Sequence, residues 1–170
     1  NFAVTVVAAH MNIPVAHIQG GEVTGSIDES IRHAMSKFSH IHFPATEDAR
    51  NRLIKIGENP EDIYVVGCPS IDVLVNTPYV DKAVLEAKYN LDFFKPFVIM
   101  IQHPVTTEMK SSLDQIKETI DVIKRMDIQA FALLPNNDAG HSKIIEEIKN
   151  SGIKWYPSLS TIDFINIYRN

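Results

Sequence analysis

HIQGGEVTGSIDESIRH, residues 17–33, is the stretch from which the chain is best read. An apolar strand-like run, Ile13 to Ile18, stops at the pair Gly20-Gly21. The acids Glu22, Asp28 and Glu29 follow, with Arg32 and His33 one helical turn beyond. Strand, glycine-rich bend and polar helix start together make the place where open α/β sheets hold their ligands. Few structural needs crowd so many titratable groups into one bend.

Outward from that bend, apolar periodicity alternates between strand and helix. Residues 2–11 read as a helix with Phe2, Val6 and Ala9 on one face, and residues 14–18 as a buried strand after Pro14. Residues 27–38 are helical, with Ser26 or Asp28 as N-cap and acids suited to the helix dipole. A short strand at 41–44 leads to a helix at 47–57, capped by Thr46 and closed at Gly57. A strand at 63–66 then stops at Gly67. This βαβαβ order predicts a parallel sheet.

A second set begins after Pro78. Residues 79–91 read as a polar, partly helical connector between residues 1–78 and 92–170. Phe97–Ile101 is a continuous apolar run of the kind found in strands buried on both faces. A helix at 111–125 carries Leu113, Ile116, Ile120 and Ile123; a strand at 128–134, a helix at 141–150, a strand at 153–156 and a helix at 161–168 follow. The chain opens in mid-helix and stops inside a helix, so it is expected to be an internal piece of a larger enzyme.

Composition sets bounds. With 170 residues and 45% apolar content the chain can bury a real core. A net charge of -5, with Lys and Arg scattered among acids, argues against a nucleic-acid partner. The single cysteine, Cys68, excludes an internal disulfide framework and fits a reducing cytoplasm. No apolar run reaches the roughly 18 residues a bilayer crossing needs, and the N-terminus lacks a basic signal-peptide region. A cytoplasmic enzyme with no membrane contact and no metal or cofactor is expected.

Each candidate residue has a structural reading beside its functional one. His17, at the end of a strand, is either a histidine bonded to a backbone carbonyl or a site group. Gly20 and Gly21 serve a backbone turn. Glu22, Asp28 and Glu29 either complement a helix start or act on a ligand, and Arg32 follows Asp28 at i+4, where the two pair. Gln102-His103-Pro104 comes directly after the strand 97–101, so His103 points into the crevice at the strand ends. The helix start beyond it offers N–H groups to an anion. Pro135-Asn136-Asn137-Asp138-Ala139-Gly140 alone is an ordinary turn, but lies beyond the next strand and makes a ligand crevice with the first loop.

Taken together and in order, HIQGGEVTGSIDESIRHAMSKFSHIHF, GCPSIDVL, IQHPVTTE and LLPNNDAG resemble the hydrolysing UDP-N-acetylglucosamine 2-epimerases of sialic-acid pathways. The resemblance runs over essentially the whole chain. It implies two Rossmann-like lobes of the glycosyltransferase B type, both incomplete here, with the UDP-sugar bound between them and no cofactor. It implies a homo-oligomer in the full-length enzyme and an isolated piece that is inactive.

The chemistry it implies has two steps: removal of the C2 proton with anti loss of UDP, then addition of water across the double bond to release N-acetylmannosamine. Glu29 matches a catalytic glutamate of the wider family and His17 a functional histidine of the hydrolysing branch. His103 matches a residue contacting UDP, and Asn136, with Asp138 in the same loop, one contacting the nucleotide. Gln19 stands where some relatives carry a catalytic glutamate. Either Glu22 or His17 then supplies the base, or Gln19 only orients the sugar alongside Arg32. A UDP-sugar glycosyltransferase of the same fold, a non-hydrolysing 2-epimerase and a non-catalytic sugar-nucleotide sensor are the rival readings.

Overall fold

The computed structural model describes residues 1–170, the side chain of Thr106 excepted, as two units, Asn1–Asn76 and Thr77–Asn170. Among the described residues no helix is long and apolar enough to cross a membrane.

The first unit runs α1 (Phe2–His10), β1 (Ala16–Ile18), α2 (Ile27–Lys37), β2 (Ile41–Phe43), α3 (Glu47–Lys55) and α4 (Pro69–Asn76), with a single 3-10 turn at Pro60–Asp62. β1 and β2 pair in parallel, His17 opposite His42. Each strand buries only its histidine; Ile18 and Ile41 remain exposed, so the expected buried strand is polar on its covered face. Of the two N-cap candidates for α2, Ser26 is the cap, accepting the N–H of Asp28. Thr46 caps α3 as its sequence predicts, through the N–H of Ala49. α3 brings Ala49 and Leu53 under the loop after β1, both with no exposed surface.

The strand expected at 63–66 does not form. The segment follows β2 through Tyr64 N–H to the His42 carbonyl (2.9 Å) and Val66 N–H to the Pro44 carbonyl (3.1 Å), with one bridge, His42 to Ile63. The next rung of a parallel ladder needs an N–H at position 44 to return a bond to Tyr64, and Pro44 has none. Helix α4 was not evident from periodicity because none of its residues is buried; its one local signal is Pro69 at the first helical position.

The second unit contains α5 (Lys82–Tyr89), β3 (Phe97–Ile101), α6 (Ser112–Met126), β4 (Gln129–Leu133), α7 (His141–Asn150), β5 (Lys154–Tyr156) and α8 (Thr161–Tyr168). Its sheet is parallel throughout, in the order β3-β4-β5. Period-2 alternation sends Ala130 and Ala132 of the central strand to one face, with Met100, Ile116, Ile120, Ile123, Ile144 and Ile148. It sends Phe131 and Leu133 to the other, with Leu85, Tyr89, Leu91 and Ile167. Helices thus cover both faces, the arrangement of a doubly wound sheet. Truncating the fully buried Phe131 to Ala costs about 3–5 kcal/mol on typical aromatic-to-alanine values.

The segment read as a polar connector is partly structural. α5 buries Leu85 and Tyr89 in the second core. The phenol of Tyr89 and the ammonium of Lys88 both donate to Asp163 at 2.6 Å, joining α5 to α8.

Candidate functional site

The loop after β1 is shaped by close packing. Gln19 takes a left-handed backbone (φ 60) and its N–H bonds the Phe43 carbonyl at 2.9 Å, which turns the chain off the sheet. Gly21 is also left-handed (φ 81), and a Cβ there would lie 2.3 Å from the Ala49 carbonyl oxygen. Gly20 is different. Its φ is not positive; a Cβ there would come 2.9 Å from His17 Nδ1 and 3.1 Å from Ser36 Oγ. Space, not turn conformation, demands glycine at position 20.

Three cross-links then hold the bend. Arg52 donates to the Gly21 carbonyl at 3.2 Å, Arg32 to the Glu22 carbonyl at 2.9 Å, and Gln19 Nε2 to Cys68 Sγ at 2.9 Å. Arg32 therefore braces the loop backbone; its expected pairing with Asp28 is not among the ion pairs of the described residues.

A cavity of about 780 Å³ opens beside β1 and α2, lined among others by His17, Gln19, Asp28 and Arg32. His17 is buried and bonded through Nδ1 to Ser36 Oγ at 3.1 Å, so its partner is a side chain and not the backbone carbonyl that its strand position suggested. Burial, then the neighbouring His42 and Arg32, hold its pKa below the ordinary 6.5. His17 is thus biased toward a neutral imidazole, the form that can accept a proton.

Glu22 and Glu29 do not line this cavity. Oε2 of Glu29 accepts the N–H groups of Gly25 and Thr24, both at 2.9 Å. Those bonds hold its carboxyl below the usual range. Ser26 and Glu29 form a variant of the capping box, with the acid reaching back beyond the N-cap. Asp28 does line the cavity, although the resemblance assigned it no role.

In the second unit, the loops after β3 and β4 meet. The backbone N–H of Asn136 donates to His103 Nδ1 at 3.2 Å, and Asn136 Oδ1 lies 3.1 Å from the same nitrogen. Nδ1 is thus taken up by Asn136, as acceptor from its N–H or as donor to its Oδ1, and Nε2 is the nitrogen left for a ligand. 3-10 turns over Thr106–Ser111 lie between His103 and α6, which begins at Ser112, one residue from the start its sequence predicts. Asp138 contributes its carbonyl, which accepts from His141 and sets the start of α7. No group of His, Cys, Asp and Glu suited to a metal ion occurs among the described residues.

Two partners of the site escaped sequence reading: Ser36, 19 residues from His17, and Cys68, 49 residues from Gln19. Neither has a local signature, because each acquires its partner only when α2, or the segment before α4, packs against the loop.

A sequence model of UDP-N-acetylglucosamine 2-epimerases matches residues 1–170. The UDP-N,N'-diacetylbacillosamine 2-epimerase (hydrolyzing) of Legionella pneumophila is 40% identical over 147 residues, covering 86% of this chain and 39% of the relative. A UDP-N-acetylglucosamine 2-epimerase of Neisseria meningitidis serogroup B is 34% identical over 134 residues, 79% of this chain and 35% of the relative. The chain therefore spans less than two fifths of the length of these relatives.

Among solved structures, the Neisseria meningitidis UDP-GlcNAc 2-epimerase bound to UDP-GlcNAc superposes with a TM-score of 0.79 at 20% identity, covering 96% of this chain and 48% of that one. The Methanocaldococcus jannaschii enzyme in complex with UDP-GlcNAc and UDP gives 0.79 at 18% identity, over 99% of this chain and 49% of that one. The α/β fold with parallel sheets is the fold of these epimerases, and by its match over residues 1–170 the chain belongs to the UDP-N-acetylglucosamine 2-epimerase family.

Proposed function

We propose that the protein is a hydrolysing 2-epimerase that converts UDP-N-acetylglucosamine to N-acetylmannosamine and UDP. The observation that carries this reading is the loop 17–33, which sets a buried histidine of lowered pKa beside Gln19, Asp28 and Arg32 in one cavity. The hydrolysing relative in Legionella supports the choice of subtype.

In the first step a base takes the proton from C2, the C1–O bond breaks with its electron pair leaving on UDP, and a C1=C2 double bond forms. In the second, water adds its oxygen to C1 while a proton returns to C2 on the opposite face. C2–H is weakly acidic, so departure of UDP must be well advanced in the transition state, and the leaving diphosphate needs hydrogen-bond donors. His17, Glu29 and Glu22 are the proposed acid–base groups. His17 is the best prepared as base, because burial favours its neutral form. Gln19 and Arg32 orient the sugar. His103, Asn136 and Asp138 are the proposed contacts to the UDP moiety, His103 through Nε2.

A second reading, with a 6-deoxy diacetamido sugar in place of N-acetylglucosamine, draws support from the same Legionella relative, whose name carries that substrate. The test is to supply the full-length protein with UDP-N-acetylglucosamine or UDP-diacetylbacillosamine and no acceptor. Free 2-epimerised sugar plus UDP is the expected product. Retention of UDP on the epimerised sugar marks a non-hydrolysing enzyme. Product only with an added acceptor marks a glycosyltransferase, and binding without product a sensor.

A further inference from the structure

We propose that Ser36 is a positioning residue that fixes His17 as its Nδ1–H tautomer and so leaves Nε2 as the basic nitrogen. The inference rests on the reading of His17 as a site base and extends it to a residue outside the cavity lining.

The argument is one of proton counting. Ser36 lies in α2 with no exposed surface, and its hydroxyl has two neighbours: the Arg32 carbonyl oxygen at 3.2 Å and His17 Nδ1 at 3.1 Å. In the arrangement we assign, the one hydroxyl proton goes to the Arg32 carbonyl, the i−4 bond a helical serine commonly makes, so Oγ accepts from His17. Nδ1 therefore carries the ring proton. In the neutral ring, which burial favours, Nε2 then keeps its lone pair.

Gly20 supports the same arrangement from the other side. A Cβ at that position would approach both Nδ1 and the Ser36 hydroxyl, and its backbone angle gives no other reason for glycine. The serine hydroxyl thus orients the ring as a carboxylate orients histidine in a catalytic triad, but without adding a charge that would raise the ring's pKa.

The tautomer can be read directly from imidazole nitrogen shifts of the 15N-labelled protein at pH 8. The expected spectrum has Nδ1 protonated and Nε2 unprotonated for His17. Ser36→Thr, which keeps a hydroxyl, should retain it; Ser36→Ala should shift the population toward the other tautomer. In turnover assays of the full-length protein, Ser36→Ala should lower kcat by at least about 10-fold with little change in KM, and Ser36→Thr should recover most of it. An Nε2–H tautomer in the wild type, or an Ser36→Ala enzyme with unchanged kcat and tautomer, overturns the proposal. If the wild type turns over neither sugar nucleotide, the reaction reading fails and the nitrogen spectrum decides the role of Ser36 by itself.

Discussion

The carboxylate of Glu29 accepts the backbone N–H of Gly25 at 2.9 Å, four residues back, and closes the loop in front of its own helix. The same oxygen takes the Thr24 N–H. These bonds favour the ionised form, so Glu29 rests as a carboxylate at neutral pH and is suited to receive a proton before giving one. The nearby His33 and Arg32 reinforce that pull. Glu29→Gln should keep UDP affinity and lower turnover by roughly 100-fold, the scale of one acid–base catalyst. A turnover within a few-fold of wild type would mark Glu29 as a capping acid alone, and a protease-sensitive loop 22–26 would then be its only phenotype.

His103 should matter to binding. With Nδ1 taken up by Asn136, Nε2 is the nitrogen available to a diphosphate oxygen. His103→Ala should weaken UDP binding by about 1–3 kcal/mol, the worth of one hydrogen bond to a charged group. Calorimetry reads this directly, and an affinity equal to wild type removes His103 from the site.

The two left-handed glycines of the loop should respond differently to alanine. At Gly21 the new Cβ meets the Ala49 carbonyl at 2.3 Å, whereas at Gly25 it meets open space. Gly25→Ala should cost about 1–2 kcal/mol, the penalty for a left-handed L-residue. Gly21→Ala carries that penalty and displaces α3 as well, so it should cost clearly more. Urea midpoints of the two variants test the order; equal costs would mean that the contact with α3 is readily relaxed.

His17 and His42 give the fold a pH dependence near neutrality. Both pKa values lie below the ordinary 6.5: His17 through burial, His42 and Arg32, and His42 through burial against the opposing pull of Glu58. A folded pKa below the unfolded one means that the unfolded chain takes up the proton first as pH falls. This contribution to stability is complete above 6.5 and is lost as pH drops from there through the folded values. Asp163, held low by Lys88 and Tyr89, acts in a separate window, losing its contribution as pH falls below 3.8. Denaturation midpoints should be flat between about pH 7 and 8 and fall as pH drops below about 6.5. His42→Gln should remove part of that fall, and an unchanged slope would show that the buried histidines do not drive it.

Residue order alone determined the second unit's layers and the outline of the first loop. Phe97–Ile101 reads as a strand because no polar side chain interrupts it, although at the sheet edge it buries only Met100 and leaves Ile101 exposed, and the spacing of Ile116, Ile120 and Ile123 allowed only one buried helix face. Ser26 and Glu29, three residues apart, announced a helix start through short-range hydrogen bonding that needs no tertiary partner. What depends on distant partners was not legible. Pro44 cancelled the strand at 63–66 by withholding one N–H from a neighbour 20 residues on, and α4 left no periodic trace because it buries nothing. Whether a glycine serves a turn, a close contact or both, as Gly25, Gly20 and Gly21 do respectively, is set by what packs beside it. So too is the setting of His17: its hydroxyl partner lies 19 residues away, and sequence cannot place that hydroxyl until α2 packs on β1.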